Sequence, residues 1–356
     1  MVLAMQILGA ILVFSLLITI HELGHLWGAR MFGVKVHEFA IGMGPQIFKW
    51  GKGETVYSVR CLPLGGFAQM AEDDGPSDDP RAFVNAKPWK RIIILLGGGI
   101  MNLLAGLILC IILVGASPVV TPPVVADFVP GSAIEQAGVP IGAEIVRVNG
   151  ARMRLQEDVV METMRLRHPM VEVQYRYNGE LRTVGFEAMR EVQANGSVRF
   201  FLGYMSEPIA NSPWYTFRFG SYRFVSISRH ILLTLGDLLT GQIDFDQVAG
   251  PVGIVRVIGE SVGDVARAET AEQATAGALG LTALFLLITI NLGLFNLLPF
   301  PALDGGRIAF VLLEMVRGKP MKAEHEGTVH FVGFALLMVL VVFATGNDIS
   351  RIFTGG

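Results

Sequence analysis

The sequence predicts a polytopic α-helical membrane protein with four transmembrane helices, a membrane-associated β-hairpin and one α+β extracytoplasmic domain. The chain of 356 residues is 52% hydrophobic and only 17% charged, whereas soluble proteins average about 25% charged residues. Four apolar stretches have the length that crossing a bilayer requires. The more polar segment 117–278 between the second and third stretch is large enough to fold as a domain.

The four stretches define the spans and their direction. They are residues 3–25, 92–116, 279–298 and 327–346. The connection 26–91 carries nine Lys and Arg residues, whereas the residues before the first span carry none. Because positively charged loops stay in the cytoplasm, this connection is predicted to be cytoplasmic, with both termini and segment 117–278 outside. The first span lacks the basic start and cleavage site of a secretory signal, so we expect it to be retained.

Composition also excludes some functions and sets the domain boundaries. A net charge of −3 provides no basic surface for nucleic acid. Cys61 and Cys110 are too few for a disulfide framework. The predicted divisions are 1–116 with the first two spans, 117–206 as the outer domain, 207–278 as a surface helix and connector, and 279–356 with the last two spans.

Two segments outside the spans have recognisable patterns. Residues 46–68 alternate like two strands, 46–50 and 55–61, around a glycine-containing turn, which predicts a hairpin. Residues 211–245 carry an apolar stripe that is interrupted by charges, and charges at that density argue against a fifth span. We expect an amphipathic helix on the outer membrane surface there; a helix packed on the outer domain is the alternative.

The first span contains the motif His21-Glu22-Leu23-Gly24-His25. Positions four apart share one helix face, so both histidines can present a ring nitrogen to one zinc ion. Glu22 then lies close enough to take a proton from the water that zinc activates. Ionisable residues at the end of a membrane span are costly and are functional by default.

A catalytic zinc ion usually takes a third protein ligand. Asp304 is the candidate, because the prolines of Asn296-x-x-Pro-x-Pro-x-Leu-Asp304-Gly break the third helix near the same membrane depth. The alternative is that Asp304 only caps the following helix. Asn291 and Asn296 are polar groups in an apolar helix and are predicted to contact substrate, although interhelical hydrogen bonding is nearly as good an explanation.

These two motifs together resemble the site-2 protease family of intramembrane zinc metalloproteases, particularly the bacterial RseP type. Further matches follow in the expected order at 42–45, 63–67, 250–254 and 347–348. The family usually carries Gly-Pro-x-x-Asn in the second span, whereas this chain has Gly98-Gly99-Ile100-Met101-Asn102. Asn102 is retained and joins the two other asparagines as a candidate substrate contact.

The resemblance implies a zinc metalloendopeptidase of the bacterial inner membrane with its active site near the cytoplasmic face. Its substrates would be single-span membrane proteins, such as anti-sigma factors or signal-peptide remnants, that another protease has already shortened. The hairpin would dip into the membrane and bind unwound substrate by strand addition; a surface hairpin without a substrate role remains the alternative.

Segment 117–206 is similar to a single bacterial PDZ domain. A strand at 145–148 enters a tight Asn149-Gly150 turn, followed by a helix at 156–167 and strands near 170–176 and 181–187. Such a domain would either dock trimmed substrates or exclude large ones by size. Rival functions for the whole chain are a non-catalytic membrane scaffold or chaperone that binds clients through this domain, and an ion transporter.

Overall fold

The computed structural model describes residues 2–51, 53–71, 77–193, 198–242, 250–319 and 321–354. The helices are α1 (Val2–Met31), α2 (Pro88–Gly115), α3 (Ala133–Gln136), α4 (Gln156–Met164), α5 (Pro213–Leu239), α6 (Pro251–Ala266), α7 (Ala271–Asn296), α8 (Asp304–Arg317) and α9 (Ala323–Thr354). A short 3-10 helix covers Phe83–Asn85. The strands are β1 (Val36–Trp50), β2 (Val56–Met70), β3 (Val119–Val120), β4 (Asp127–Phe128), β5 (Glu144–Val148), β6 (Ala151–Arg152), β7 (Met170–Tyr177), β8 (Glu180–Glu187), β9 (Met189–Val192), β10 (Val198–Phe201), β11 (Tyr204–Met205) and β12 (Ile209–Ala210).

Among the described residues, four helices are long and apolar enough to cross a membrane, as predicted. They cover Gln6–Met31, Pro88–Gly115, Ala271–Asn296 and Glu324–Arg351. The first extends six residues beyond the predicted end, because Leu26 and Ala29 are buried in a core cluster that continues the apolar face. The His-Glu-Leu-Gly-His motif therefore lies inside the helix and not at its end, which corrects the expectation from sequence.

The chain forms two compact units, of which the first comprises Met1–Leu109 and Ile227–Gly356. It contains a β-structure larger than the predicted hairpin, since β1 and β2 have 15 residues each. Phe39 pairs with both Ala68 and Tyr57, so the first part of β1 lies between two segments of β2. Gly65 has φ +81°, which allows β2 to fold back at this point. The end of β2 becomes an edge that packs beside α1.

The first unit also contains a helix that the sequence pattern did not indicate. Residues 251–266 form α6, where only a connector was expected. The N–H groups of Gly250 and Gly253 donate to the carboxylate of Asp348 on α9, over 2.9 and 2.7 Å. A carboxylate at a helix start satisfies N–H groups that have no partner within the helix. The buried Asp348 thus joins α9 to α6.

The second unit comprises Cys110–Ser226. Its largest sheet is antiparallel, with strand order β6-β5-β7-β8. Helix α4 and strands β5, β7 and β8 lie where the sequence pattern predicted them, within a few residues at each end. The fully buried core includes Ile134, Ile145 and Val173. Helix α5, which begins in this unit, matches the predicted amphipathic helix.

Candidate active site

Three predicted metal ligands from two distant motifs meet in the first unit. His21 and His25 lie one turn apart on α1, and Asp304 is the first residue of α8, with Leu303 as the helix cap. Asp304 Oδ2 lies 3.0 Å from His21 Nε2 and 3.3 Å from His25 Nε2. The two imidazole Nε2 atoms are 3.2 Å apart. Both histidines are buried and the Asp304 side chain is 17% exposed.

The hydrogen bonding of His25 shows what this triangle of atoms can hold. His25 Nδ1 lies 3.0 Å from the carbonyl oxygen of Ile94 on α2. A carbonyl only accepts, so Nδ1 donates and the neutral ring keeps a lone pair on Nε2, facing His21 and Asp304. Electron-rich atoms this close repel one another unless a cation lies among them. Tetrahedral zinc, with bonds of about 2.0–2.1 Å, sets neighbouring ligand atoms about 3.3 Å apart, so the triangle fits zinc.

Asn102 contacts the other histidine from α2. The side chain is completely buried, and its Nδ2 lies 3.3 Å from His21 Nδ1. In the described part of the chain, Asn102 Oδ1 is a buried atom without a hydrogen-bond partner. Turning the amide by 180° lets Oδ1 accept from His21 Nδ1–H. His21 then also presents a lone pair on Nε2, as a metal ligand must.

The carboxylate of Glu22 is oriented by the edge of the β-structure. Its Oε2 accepts a hydrogen bond of 3.0 Å from the backbone N–H of Ala68 on β2. Glu22 is half-buried and lies between the two histidines in sequence. The predicted general base is therefore held at the junction of α1 and β2.

Glycines allow the helices to come close around the histidines. A Cβ at Gly98 would lie 2.5 Å from His25 Nε2 and 2.6 Å from His21 Nε2, so only hydrogen fits there. A Cβ at Gly24 would meet the carbonyl oxygen of Gly97 at 2.0 Å, so α1 and α2 touch backbone to backbone. Gly99, where the family usually has proline, faces the Leu297 side chain, whose Cγ would lie 2.8 Å from an added Cβ.

The turn before Asp304 is equally tight. Added Cβ atoms at Gly305 and Gly306 would lie 2.1 Å from the carbonyl oxygen of Leu298 and 2.3 Å from that of Phe300. These close approaches explain why the Leu-Asp-Gly-Gly sequence folds back immediately after the prolines. The turn directs Asp304 to the two histidines.

The three asparagines that were predicted to contact substrate each have a different position in the structure. Asn291 donates to the Leu287 carbonyl within its own helix, over 3.0 Å. Asn296 is the last residue of α7. Asn102 was predicted to contact substrate, whereas in the structure its side chain contacts the ring of His21. A substrate role for these asparagines remains a prediction.

Sequence reasoning missed three groups that shape the site: the Ala68 N–H, the Ile94 carbonyl and Gly98. Two are backbone atoms, which no residue pattern reveals. The run Gly97–Gly98–Gly99 in an apolar span was the available signal for the third, because such runs bring helices into close contact in membranes.

The chain is similar to known proteins along most of its length. The model of Peptidase family M50 matches residues 9–340. A putative zinc metalloprotease of Clostridium acetobutylicum is 35% identical over 347 residues, which cover 97% of each chain. The zinc metalloprotease RasP of Geobacillus kaustophilus is 31% identical, and the alignment covers 98% of each chain. The regulator of sigma-W protease RasP of Bacillus subtilis is 28% identical and covers 98% of this chain and 99% of its own.

The family match extends over most of the chain and includes both motifs that carry the candidate ligands. The family and the zinc cofactor that the sequence predicted are therefore confirmed. The chain belongs to peptidase family M50, the site-2 protease family of zinc metalloproteases.

Proposed function

We propose that this chain hydrolyses peptide bonds in or near the transmembrane segment of single-span membrane proteins. His21, His25 and Asp304 hold the zinc ion, and Glu22 is the general base. The observation that carries this proposal is the convergence of His21 Nε2, His25 Nε2 and Asp304 Oδ2 within 3.0–3.3 Å of one another. Three protein ligands leave a fourth position open, as a catalytic zinc site requires.

Each residue has a separate task in hydrolysis. When bound, zinc supplies a Lewis acid that lowers the pKa of water and polarises the substrate carbonyl. Glu22 accepts the proton of the attacking water and delivers it to the departing amine. The Ala68 N–H holds one oxygen of the Glu22 carboxylate, which fixes its direction. Asn102 and the Ile94 carbonyl keep both imidazoles turned so that Nε2 faces the metal.

The substrate must be extended before it is cut, because a helical peptide bond is shielded by its own hydrogen bonds. The edge of β2 next to Glu22 supports strand addition as the way in which unwound substrate is bound. The name of the Bacillus subtilis relative refers to regulation of sigma-W. This supports anti-sigma factors, shortened beforehand by another protease, as substrates.

The proposed setting is the bacterial inner membrane. The nine Lys and Arg residues of 26–91 support a cytoplasmic β-structure with the active site near that face. The termini and the PDZ-like second unit then lie outside, where the unit filters trimmed substrates. This arrangement would release the cytoplasmic part of a cleaved substrate.

The test is cleavage of a single-span model substrate by the purified full-length protein in detergent. Wild type is expected to cut inside the apolar segment, whereas Glu22→Gln and chelator-treated wild type are not. Glu22→Gln should keep stoichiometric zinc, while His21→Ala should lose it. The matched controls are Glu180→Gln and His325→Ala, since both positions are exposed and neither contributes to the site.

Three results would count against the proposal. Stoichiometric zinc in His21→Ala would mean that the metal is held elsewhere. Unchanged cleavage by Glu22→Gln would remove the general base. If a panel of trimmed substrates is bound but never cut by zinc-loaded wild type, the scaffold function would replace the protease function.

A further inference from the structure

The turn between α7 and α8 contains an unusual backbone conformation. Ala302 has φ +76°; among the described residues, the other non-glycine positions with positive φ are Asn149 and Asn178. Asparagine tolerates this left-handed region because its side chain can hydrogen-bond locally, whereas alanine has no such compensation. A strained residue of this kind persists only where its surroundings hold it in place.

The backbone hydrogen bonds of the turn show where that support comes from. In the described segment 297–303, the N–H groups of Phe300 and Leu303 donate to carbonyls of the same turn, and the two prolines have no N–H to donate. The N–H of Ala302 instead donates to Nδ1 of His330 on α9, over 2.8 Å. The hydrogen-bond acceptor for the N–H of Ala302 thus comes from α9, a helix that is distant in sequence.

His330 is itself held in a defined position. An added Cβ at Gly333, three residues further along α9, would lie 2.4 Å from Pro301 Cβ, so the α9 backbone lies directly against the turn. The His330 ring also packs against the Phe310 ring on α8, with centroids 5.3 Å apart. Because the N–H of Ala302 donates, Nδ1 must carry a lone pair and the ring proton of neutral His330 lies on Nε2.

We propose that His330 is a positioning residue for the metal site, which holds Ala302 in the left-handed conformation and thereby directs Asp304 to the two histidines. The connection is short, since only Leu303 separates Ala302 from Asp304. Without an acceptor at His330, the turn can relax to an ordinary conformation. The carboxylate of Asp304 then leaves the position in which it meets both imidazoles.

The test measures zinc affinity of the full-length protein in detergent by competition with a chelator. His330→Leu removes the acceptor and is expected to weaken zinc binding roughly tenfold at most, the upper end for the loss of one hydrogen bond. His330→Asn retains an acceptor at the position of Nδ1 and should stay close to wild type. Ala302→Gly in the His330→Leu background should restore most of the affinity, because glycine adopts positive φ without strain.

The rescue distinguishes positioning from a general loss of packing, which a smaller residue at 302 would not repair. The control on the same helix is His325→Leu, an exposed histidine that should leave zinc affinity unchanged. Wild-type affinity in His330→Leu would overturn the inference, and so would failure of Ala302→Gly to rescue. If His330→Leu does not fold, His330→Asn and His330→Gln make the same comparison, since glutamine places its acceptor near the position of Nε2.

This inference rests on the proposed function, because it takes Asp304 as a zinc ligand. The two fail in different ways. Stoichiometric zinc in His21→Ala would refute the proposed site itself. Loss of zinc in His21→Ala combined with wild-type affinity in His330→Leu would leave the site intact and refute only the role of His330.

Discussion

Replacing Gly98 by alanine tests the geometry of the site with a single methyl group. The new Cβ would lie 2.5 Å from His25 Nε2 and 2.6 Å from His21 Nε2, whereas ordinary contacts begin at 3.4 Å. Each contact is therefore too short by about 0.8–0.9 Å, and the rings or α2 must withdraw by that amount.

The size of the effect follows from this displacement. A misplacement of about 1 Å in an active site can reduce activity about a hundredfold. Gly98→Ala should therefore weaken zinc binding and reduce cleavage by roughly that factor. Both are measured on the full-length protein in detergent, by chelator competition and by cleavage of the single-span model substrate.

Gly280→Ala on α7 is the matched control. An added Cβ at Gly280 meets nothing within 4 Å, so the same substitution in a membrane helix is expected to leave the site unchanged. Both variants raise helix propensity by about 1 kcal/mol, so this contribution cancels in the comparison. Zinc affinity in Gly98→Ala equal to that in Gly280→Ala would refute the close approach of α2 to the histidines.

Two further predictions concern parts of the first unit away from the metal ligands. Asp348→Ala leaves two N–H groups at the start of α6 without their acceptor. The free energy of unfolding, measured by denaturant titration, should therefore fall by about 1–3 kcal/mol. A fall of less than about 0.5 kcal/mol would contradict this role of Asp348. Burial raises the pKa of Glu38, but hydrogen bonds from Ser58 and Arg60 outweigh burial, so its pKa lies below the ordinary value of 4.5. Glu38 therefore stabilises β1 and β2 above pH 4.5, and this contribution is lost as the pH falls through its lowered pKa. Protection of these strands against hydrogen exchange, measured relative to the intrinsic exchange rate at each pH, should fall from about pH 6 to about pH 3.5 in wild type but much less in Glu38→Gln. An equal fall in both proteins would contradict the prediction.

The convergence of His21, His25 and Asp304 was predictable because it follows from local geometry. Two histidines four residues apart must share a helix face, and the prolines before Asp304 end α7 at a definite residue. The same reasoning identified the four spans, whose apolar lengths are set by the bilayer. These features depend on residues that are close together in the chain, so they can be predicted from one sequence.

What the sequence did not reveal depends on long-range contacts. The β-structure was predicted to begin at residue 46, yet β1 begins at Val36, because its first part is stabilised between two segments of β2. Helix α6 was expected to be a connector, yet its first turn depends on Asp348, which lies 98 residues beyond Gly250 in the chain. The contact of His330 with Ala302 joins two elements without a common motif, so no residue pattern indicated it.

The glycine contact between α1 and α2 also bears on how the protein responds to bilayer thickness. Because Gly24 and Gly97 touch backbone to backbone, these helices cannot slide or tilt past one another without separating. A thinner or thicker bilayer is usually accommodated by helix tilt. Among the four described spans, α9 buries the smallest share of its apolar residues, and its contacts include those of Asp348 with α6 and of His330 with Ala302. A change in the tilt of α9 would therefore reach the turn before Asp304 through His330 and Ala302, whereas α1, which carries both histidines, is held against α2.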